Sequence, residues 1–332
     1  MTAMASRPVG SGGPRLTEIG FGAATLGNLG RAMTDEDAEA TVGRAWERGI
    51  RYFDTAPHYG LGLSERRLGA ALKGHPRDEF VVSTKVGRLL EPNPDPTALD
   101  DDGFVVPGNL RRVWDFTRDG VRRSLDASLD RLGLDHVDIA YAHDPDQHAP
   151  ESGLQALEAL VELREQGVAR AVGVGTNAPH RVPGLFTSGM ADIVMVAGRF
   201  TLLEQGGLYS ALEPARAAGV AIVIAGVFNS GLLSRPWPPD DARYEYGPAP
   251  AAMLARARRL AEICRQHRTT LPAAAVELPL LHPAVVAVAL GARDVAQLDA
   301  NLDRHHQGVP RELWRDLVRA GLLDPRAVEA LS

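Results

Sequence analysis

The sequence predicts an α/β protein folded as a parallel (β/α)8 TIM barrel, with long loops over the face where the strands end. Three observations carry this. Short β-branched runs alternate with longer amphipathic segments eight times along the chain. Glycines stand at the ends of the helical patterns, where a left-handed residue is wanted. No linker or composition shift divides the 332 residues, so 1–332 reads as a single barrel domain of ordinary size for this architecture. A doubly wound sheet is the runner-up.

Residues 1–15 read as a flexible N-terminal tail. A first strand at 18–22 leads to a helix at 35–48, which Thr34 or Asp35 can cap and Gly49 ends. Strand 51–54 precedes a helix at 64–73, and strand 80–85 precedes one at 117–132, stopped by Gly133. Strand 136–143 leads to helix 153–165 with Gly167 behind it, whereas strand 169–175 leads only to a short pattern near 179–186. Helix 206–217, closed by Gly219, lies between strands 192–197 and 220–225. Strand 285–290 lies between helices at 252–267 and 295–306. Three segments fall outside the repeat. They are a Pro- and Asp-rich loop at 86–116, a second loop at 229–250 with Trp237, Tyr244 and Tyr246, and a tail from 307 that reads as a helix plus coil. Loops of this length are usually lids or binding loops.

Composition removes several function classes. An apolar share of 45% supplies a large core, and a net charge of -6 with mixed signs lacks the basic footprint of a nucleic-acid binder. The N-terminus has no apolar signal region. The most apolar stretch, 271–292, is broken by Pro272, Glu277, Pro279, His282 and Pro283, so no membrane partner is expected and the location expected is cytoplasmic. The single cysteine, Cys264, excludes an internal disulfide, and its helical pattern places it against the core.

Active sites of such barrels lie at the C-terminal strand ends. The second strand ends in Asp54, followed by Thr55, His58 and Tyr59; the third ends in Lys85 and the fourth in His143. The fifth ends at Thr176 and Asn177, and the eighth at Gly291, Ala292 and Arg293. Asp54, Lys85 and His143 are costly after apolar runs unless they pair or work. A buried lysine beside a tyrosine favours the phenolate, an aspartate would hold that lysine charged, and a histidine can orient a carbonyl or hydroxyl. Tyr59 then serves as a general acid or base, and an electron carrier must be added, because no side chain accepts hydride.

GIRYFDTAPHYG, VVSTKVG and YAHDPD, followed by VGVGTN and GARDVAQLDANL, resemble the strand-end motifs of the aldo-keto reductases over nearly the whole chain. The resemblance implies a (β/α)8 barrel that binds NAD or NADP in extended form without a Rossmann motif, with Asp54, Tyr59, Lys85 and His143 as the catalytic set. AHDPDQH, AGRFTLLEQ and GVFNSGLLS are similar to the aldose 1-dehydrogenase branch, which oxidises L-fucose or another aldose to its lactone and includes pyridoxal dehydrogenases. A reductase of aldehydes or ketones using NADPH is the alternative, and a non-catalytic regulatory barrel a further one. Two family positions differ: Met195, Ala197 and Gly198 stand where many members carry a glutamine, and Ala225 and Gly226 where many carry a stacking tyrosine.

The cofactor is expected to contact Gly22, Ala23, Thr25, Asp54, Thr176 and Asn177 around the nicotinamide. Gly226, Phe228, Asn229, Ser230, Gly231 and Leu232 would cover the phosphates with backbone amides, and Gly291, Arg293, Gln297 and Asn301 would meet the adenosine. A 2′-phosphate needs cations, and Asp294 beside Arg293 would repel it, so NAD is preferred. Tyr59, His143, Trp114 and Trp237 are the expected substrate contacts, the tryptophans offering flat faces to a sugar. The partner is thus a small molecule.

Other patterns read as structural. His143, Asp144, Asp146 and His148 could cluster on a metal, but only one strand end offers a histidine, so no metal is expected. Gly173-Val-Gly175-Thr-Asn-Ala178 satisfies a loose dinucleotide motif without a helix beginning at once. Asp100–Asp102 reads as a solvated acidic loop, His305 and His306 as solvent-facing, and Trp46 and Trp314 as helix-packing residues.

Overall fold

The computed structural model describes residues 4–149, 151–245 and 247–331. Tyr246 lies outside them, as do residues 1–3 of the expected tail. Eight parallel strands close into a barrel: β1 (Ile19–Gly22), β2 (Tyr52–Asp54), β3 (Val81–Val86), β4 (Val137–His143), β5 (Ala169–Thr176), β6 (Ile193–Ala197), β7 (Ala221–Ala225) and β8 (Val285–Leu290). Each pairs with its neighbours in sequence, and β8 pairs with β1 to complete the ring.

Side chains alternate in and out along each strand. Inside the barrel, Tyr52, Val81, Ile139, Tyr141, Ile193, Met195, Val223 and Ala287 pack on one another. The alternate positions, among them Phe53, Val82, Ala140, Val172 and Val288, pack outward with the helices. Gly20 is required by this packing: a Cβ there would stand 2.4 Å from the Tyr52 ring.

The helices begin and end as their caps dictate. The Thr34 side chain accepts the Asp37 N–H at the start of Asp35–Glu47, and Gly133 ends Arg118–Leu132 in a left-handed conformation at φ 66°. Cys264 is buried in the helix Ala251–Gln266, and burial pushes its thiol up to about 12.

Four segments differ from expectation. The described part of 1–15 is no loose tail: Ser6–Pro8 pairs antiparallel with Arg15–Thr17, and Val9 and Leu16 join the barrel-interior cluster. Burying these two side chains holds the hairpin across the N-terminal end, and Arg7 pins it by donating to the carbonyls of Leu280 and Val285. The apolar stretch after 270 opens with a helix, Leu271–Leu280, capped by the Thr270 hydroxyl. Pro272 sits in its first turn, where no N–H is needed, and Pro279 in its last. Within 86–116, Arg88–Thr97 pairs with Gly108–Trp114 as a two-stranded ribbon, where prolines are tolerated along an edge. Within 229–250, Arg243–Tyr244 pairs with Gly247–Pro248.

Candidate active site

The alternation that fills the barrel also sets its mouth. Tyr52 and Asp54 point inward on β2, Ser83 and Lys85 on β3, and Tyr141 and His143 on β4, so the last inward residue of each is the polar one. Lys85 Nζ donates to both Asp54 oxygens, at 2.9 and 2.7 Å, and to the Thr55 carbonyl at 2.8 Å. The Ser83 hydroxyl donates to Asp54 Oδ1 at 2.7 Å. Tyr59 follows β2 on a turn fixed by a close backbone approach: a Cβ on Gly60 would stand 2.3 Å from the Gly27 carbonyl oxygen. That turn puts the Tyr59 ring centroid 4.8 Å from Lys85 Nζ and 6.0 Å from the His143 ring, edge to face.

Burial and charge fix the protonation states. Burial opposes the charge on Lys85, but Asp54 and Tyr59 outweigh it and the ammonium is raised above its ordinary value. Burial pushes the Tyr59 phenol up, and Lys85 pulls it only part of the way back. Lysine proximity thus favours the phenolate, as the sequence reading has it, but burial, which that reading left out, is the larger effect. His143 is held well below the usual histidine range, by burial first and then by Arg88 and Lys85. His58 is lowered to about 2 by burial, Arg88 and Arg112.

These groups line a cavity of about 1540 Å³ at the C-terminal face. Ordinary small-ligand pockets hold roughly 300–1,000 Å³, so there is room for a dinucleotide and a small substrate together. Gly22, Thr25, Asp54, Thr176, Asn177, Gly226, Ser230, Gly231, Gly291 and Arg293 reach it, as does Trp114. Gly22 and Gly291 lie side by side at the ends of the paired strands β1 and β8 and line the cavity, and an added Cβ on either would stand 3.6 Å from the other's backbone. The size and polar lining of the cavity fit a nicotinamide dinucleotide.

Other expected contacts lie elsewhere. Ala23 is fully buried beside Ala24, which lines the cavity in its place. Phe228 and Leu232 pack into the outer core, and Asn229 is buried against the Gly198 carbonyl. The N–H groups of Asn229, Gly231 and Leu232 bond within their own turn, so they are not the expected phosphate donors. Gln297 is exposed and accepts from the Arg293 N–H, while buried Asn301 accepts from Arg304. Asp294 caps the helix Val295–Gln307 through the Gln297 N–H, so its carboxylate is engaged at the helix start. Trp237 is half-exposed, lies 5.9 Å from the Arg258 guanidinium carbon and does not line the cavity.

Two structural readings also change. The Asp100 carboxylate is not solvated: Arg112 donates to both its oxygens, at 2.6 and 3.0 Å. His305 pairs with Glu277 at 2.6 Å instead of facing solvent. The residues considered for a metal point to separate partners: Asp144 to Arg88, Asp146 to Thr176 and His148 to Ser152. Sequence reasoning missed Arg88 and Arg112, named His58 without a role and weighed Asp144 only for a metal; all four stand at the cavity wall. The available signal was the two-residue period of Leu110, Arg112 and Trp114, hidden in a segment read as loop.

Comparison with known proteins agrees with this geometry. Residues 18–316 match the Aldo/keto reductase family. The chain is 47% identical to a D-threo-aldose 1-dehydrogenase from Pseudomonas sp, covering 94% of this chain and 96% of that protein. It is 38% identical to a pyridoxal 4-dehydrogenase from Microbacterium luteolum, over 97% and 99% of the two chains. An aldo-keto reductase from Bacillus halodurans shares the fold at a TM-score of 0.74 and 24% identity, over 97% of each chain. Among the described residues, no helix is long and apolar enough to cross a membrane. This chain belongs to the aldo/keto reductase family and is an oxidoreductase of the kind that uses a nicotinamide cofactor.

Proposed function

We propose that this protein oxidises the anomeric carbon of a cyclic aldose to a lactone, with NAD as the preferred cofactor and Asp54, Tyr59, Lys85 and His143 as the catalytic residues. The observation that carries the reading is Tyr59, half-buried in the lining of a large cavity between the Lys85–Asp54 pair and a neutral His143. The likeness to a D-threo-aldose 1-dehydrogenase supports the substrate class.

When bound in the groove, the nicotinamide supplies the hydride acceptor. Tyr59 takes the proton of the anomeric hydroxyl as that oxygen becomes a carbonyl. The Lys85 ammonium stabilises the phenolate form that does this, and Asp54 keeps the ammonium charged and in place. His143 lends a neutral ring to the same oxygen. Its Nδ1 is buried with no partner among the described residues, and burial beside two cations keeps it from charging.

The NAD preference rests on the cavity end near β8. Of the segment 291–301, only Arg293 brings a cation to the wall, and Gln297 offers no charge. One guanidinium is a weak match for a phosphate dianion. A second reading, reduction of a carbonyl compound, is favoured by the raised Tyr59, because a neutral phenol is already a proton donor.

The test is formation of reduced nicotinamide from L-fucose, other aldoses and pyridoxal, with NAD and NADP in parallel. Turnover of an aldose with NAD is expected. Equal or better activity with NADP would overturn the cofactor preference, and silence with aldoses alongside carbonyl reduction by NADPH would favour the second reading.

A further inference from the structure

One wall of the cavity carries polar groups that the proton transfer at Tyr59 does not use. His58 stands edge-on to Tyr59, His143 and Phe104, with ring centroids 5.9, 5.6 and 5.3 Å away. Its Nδ1 is buried without a hydrogen-bond partner among the described residues, and the Asp102 carboxylate stops 3.9 Å short of it. That gap is too long for a hydrogen bond. Held neutral, an imidazole offers one donor and one acceptor, the pair that a hydroxyl group matches.

On the other side of His143, Asp144 accepts from Arg88 at 2.7 Å and comes within 3.6 Å of His143 Nε2. The Arg88 guanidinium lies 4.3 Å from the Trp114 ring centroid, so the carboxylate is fixed beside a flat apolar face. Arg112 in turn holds Asp100 at 2.6 Å and Asp102 at 2.9 Å. Both guanidinium groups are therefore matched by carboxylates, so neither is free to take a substrate phosphate.

We infer that His58, with Asp144 held by Arg88, reads the hydroxyl adjacent to the reacting carbon, so that the site selects an uncharged polyhydroxylated substrate over its deoxy counterpart. This rests on the reading of Tyr59 as the proton-transferring group for an aldose. The imidazole makes one hydrogen bond to that hydroxyl, Asp144 accepts from a neighbouring one, and Trp114 covers the apolar face of the ring. A site built to bond a hydroxyl rejects the analogue that lacks it, because its own polar atoms are then left bare.

The experiment compares kcat/KM for L-fucose and 2-deoxy-L-fucose, with NAD, in wild type, His58→Leu and His58→Gln. Wild type is expected to favour L-fucose by roughly 10- to 100-fold. His58→Leu should bring the ratio to within about threefold of unity, and His58→Gln, which keeps a donor and an acceptor, should restore most of it. A ratio in His58→Leu equal to that of wild type, whatever the absolute rates, would overturn the inference. Failure of wild type to oxidise these sugars or any other aldose with NAD would instead overturn the aldose reading, and the inference with it.

Discussion

Removing the Lys85 ammonium isolates what the buried ion pair does. Lys85 and Asp54 have side chains only 3% and 5% exposed, and they meet at 2.7 Å. In Lys85→Met the apolar stem is kept, so little cavity is made, but Asp54 loses two hydrogen bonds and keeps, among the described residues, only the Ser83 hydroxyl. The Thr55 carbonyl also loses its ammonium donor. Stranding one charge of a buried pair costs about 3–5 kcal/mol. Asp54→Asn strands the ammonium and should cost a similar amount. The double variant Asp54→Asn/Lys85→Met buries no charge and should be more stable than the sum of the single losses requires, by up to about 3 kcal/mol. Guanidinium unfolding, followed in parallel by tryptophan fluorescence and circular dichroism, gives these values where the two transitions coincide. A loss below about 1 kcal/mol in Lys85→Met, or strict additivity in the double variant, would refute the reasoning.

The site chemistry makes three further predictions. Because His143 is held well below the ordinary histidine range and His58 is lowered to about 2, neither is expected to titrate at the ordinary histidine pH. Because Tyr59 is raised, oxidation should climb toward alkaline pH as the phenol ionises, while reduction falls there; an acidic limb near pH 6.5 that His143→Gln removes would contradict this. Trp114→Ala should raise KM for the sugar several-fold, whereas Trp237→Ala, half-exposed and off the cavity wall, should leave kcat/KM within twofold; equal effects would mean that the 229–250 loop closes over the substrate. Cys264, buried and pushed up to about 12, should resist iodoacetamide at pH 8 in the folded protein and react in denaturant; alkylation of the native form at the rate of a free thiol would contradict its placement.

The barrel was legible because its signal is local. β-branched runs of a few residues, bounded by glycine, mark the eight strands, and strand parity carries Asp54, Lys85 and His143 inward at one end. What could not be read depends on partners distant in sequence. Val9 and Leu16 look like scattered apolar residues until the strands give them a barrel end to fill. Pro92, Pro94 and Pro96 argue against a strand, and only a two-stranded ribbon with a free edge admits them. Asp294 reads as a charge beside Arg293 that would repel a phosphate, but the cap position engages one of its oxygens. Arg88–Asp144 and Arg112–Asp100 span 56 and 12 residues, and nothing in their local spacing announces the pairing.

The most direct test of the central claim is Tyr59→Phe. The variant removes the one hydroxyl assigned to take the substrate proton and leaves the ring that packs beside Lys85 and His143. With a sugar that wild type oxidises, turnover should fall by roughly 10²- to 10⁴-fold, while the dissociation constant for NAD, measured by quenching of protein fluorescence, stays within about twofold of wild type. Turnover near the wild-type rate would contradict the assignment of Tyr59 and require another group for the proton.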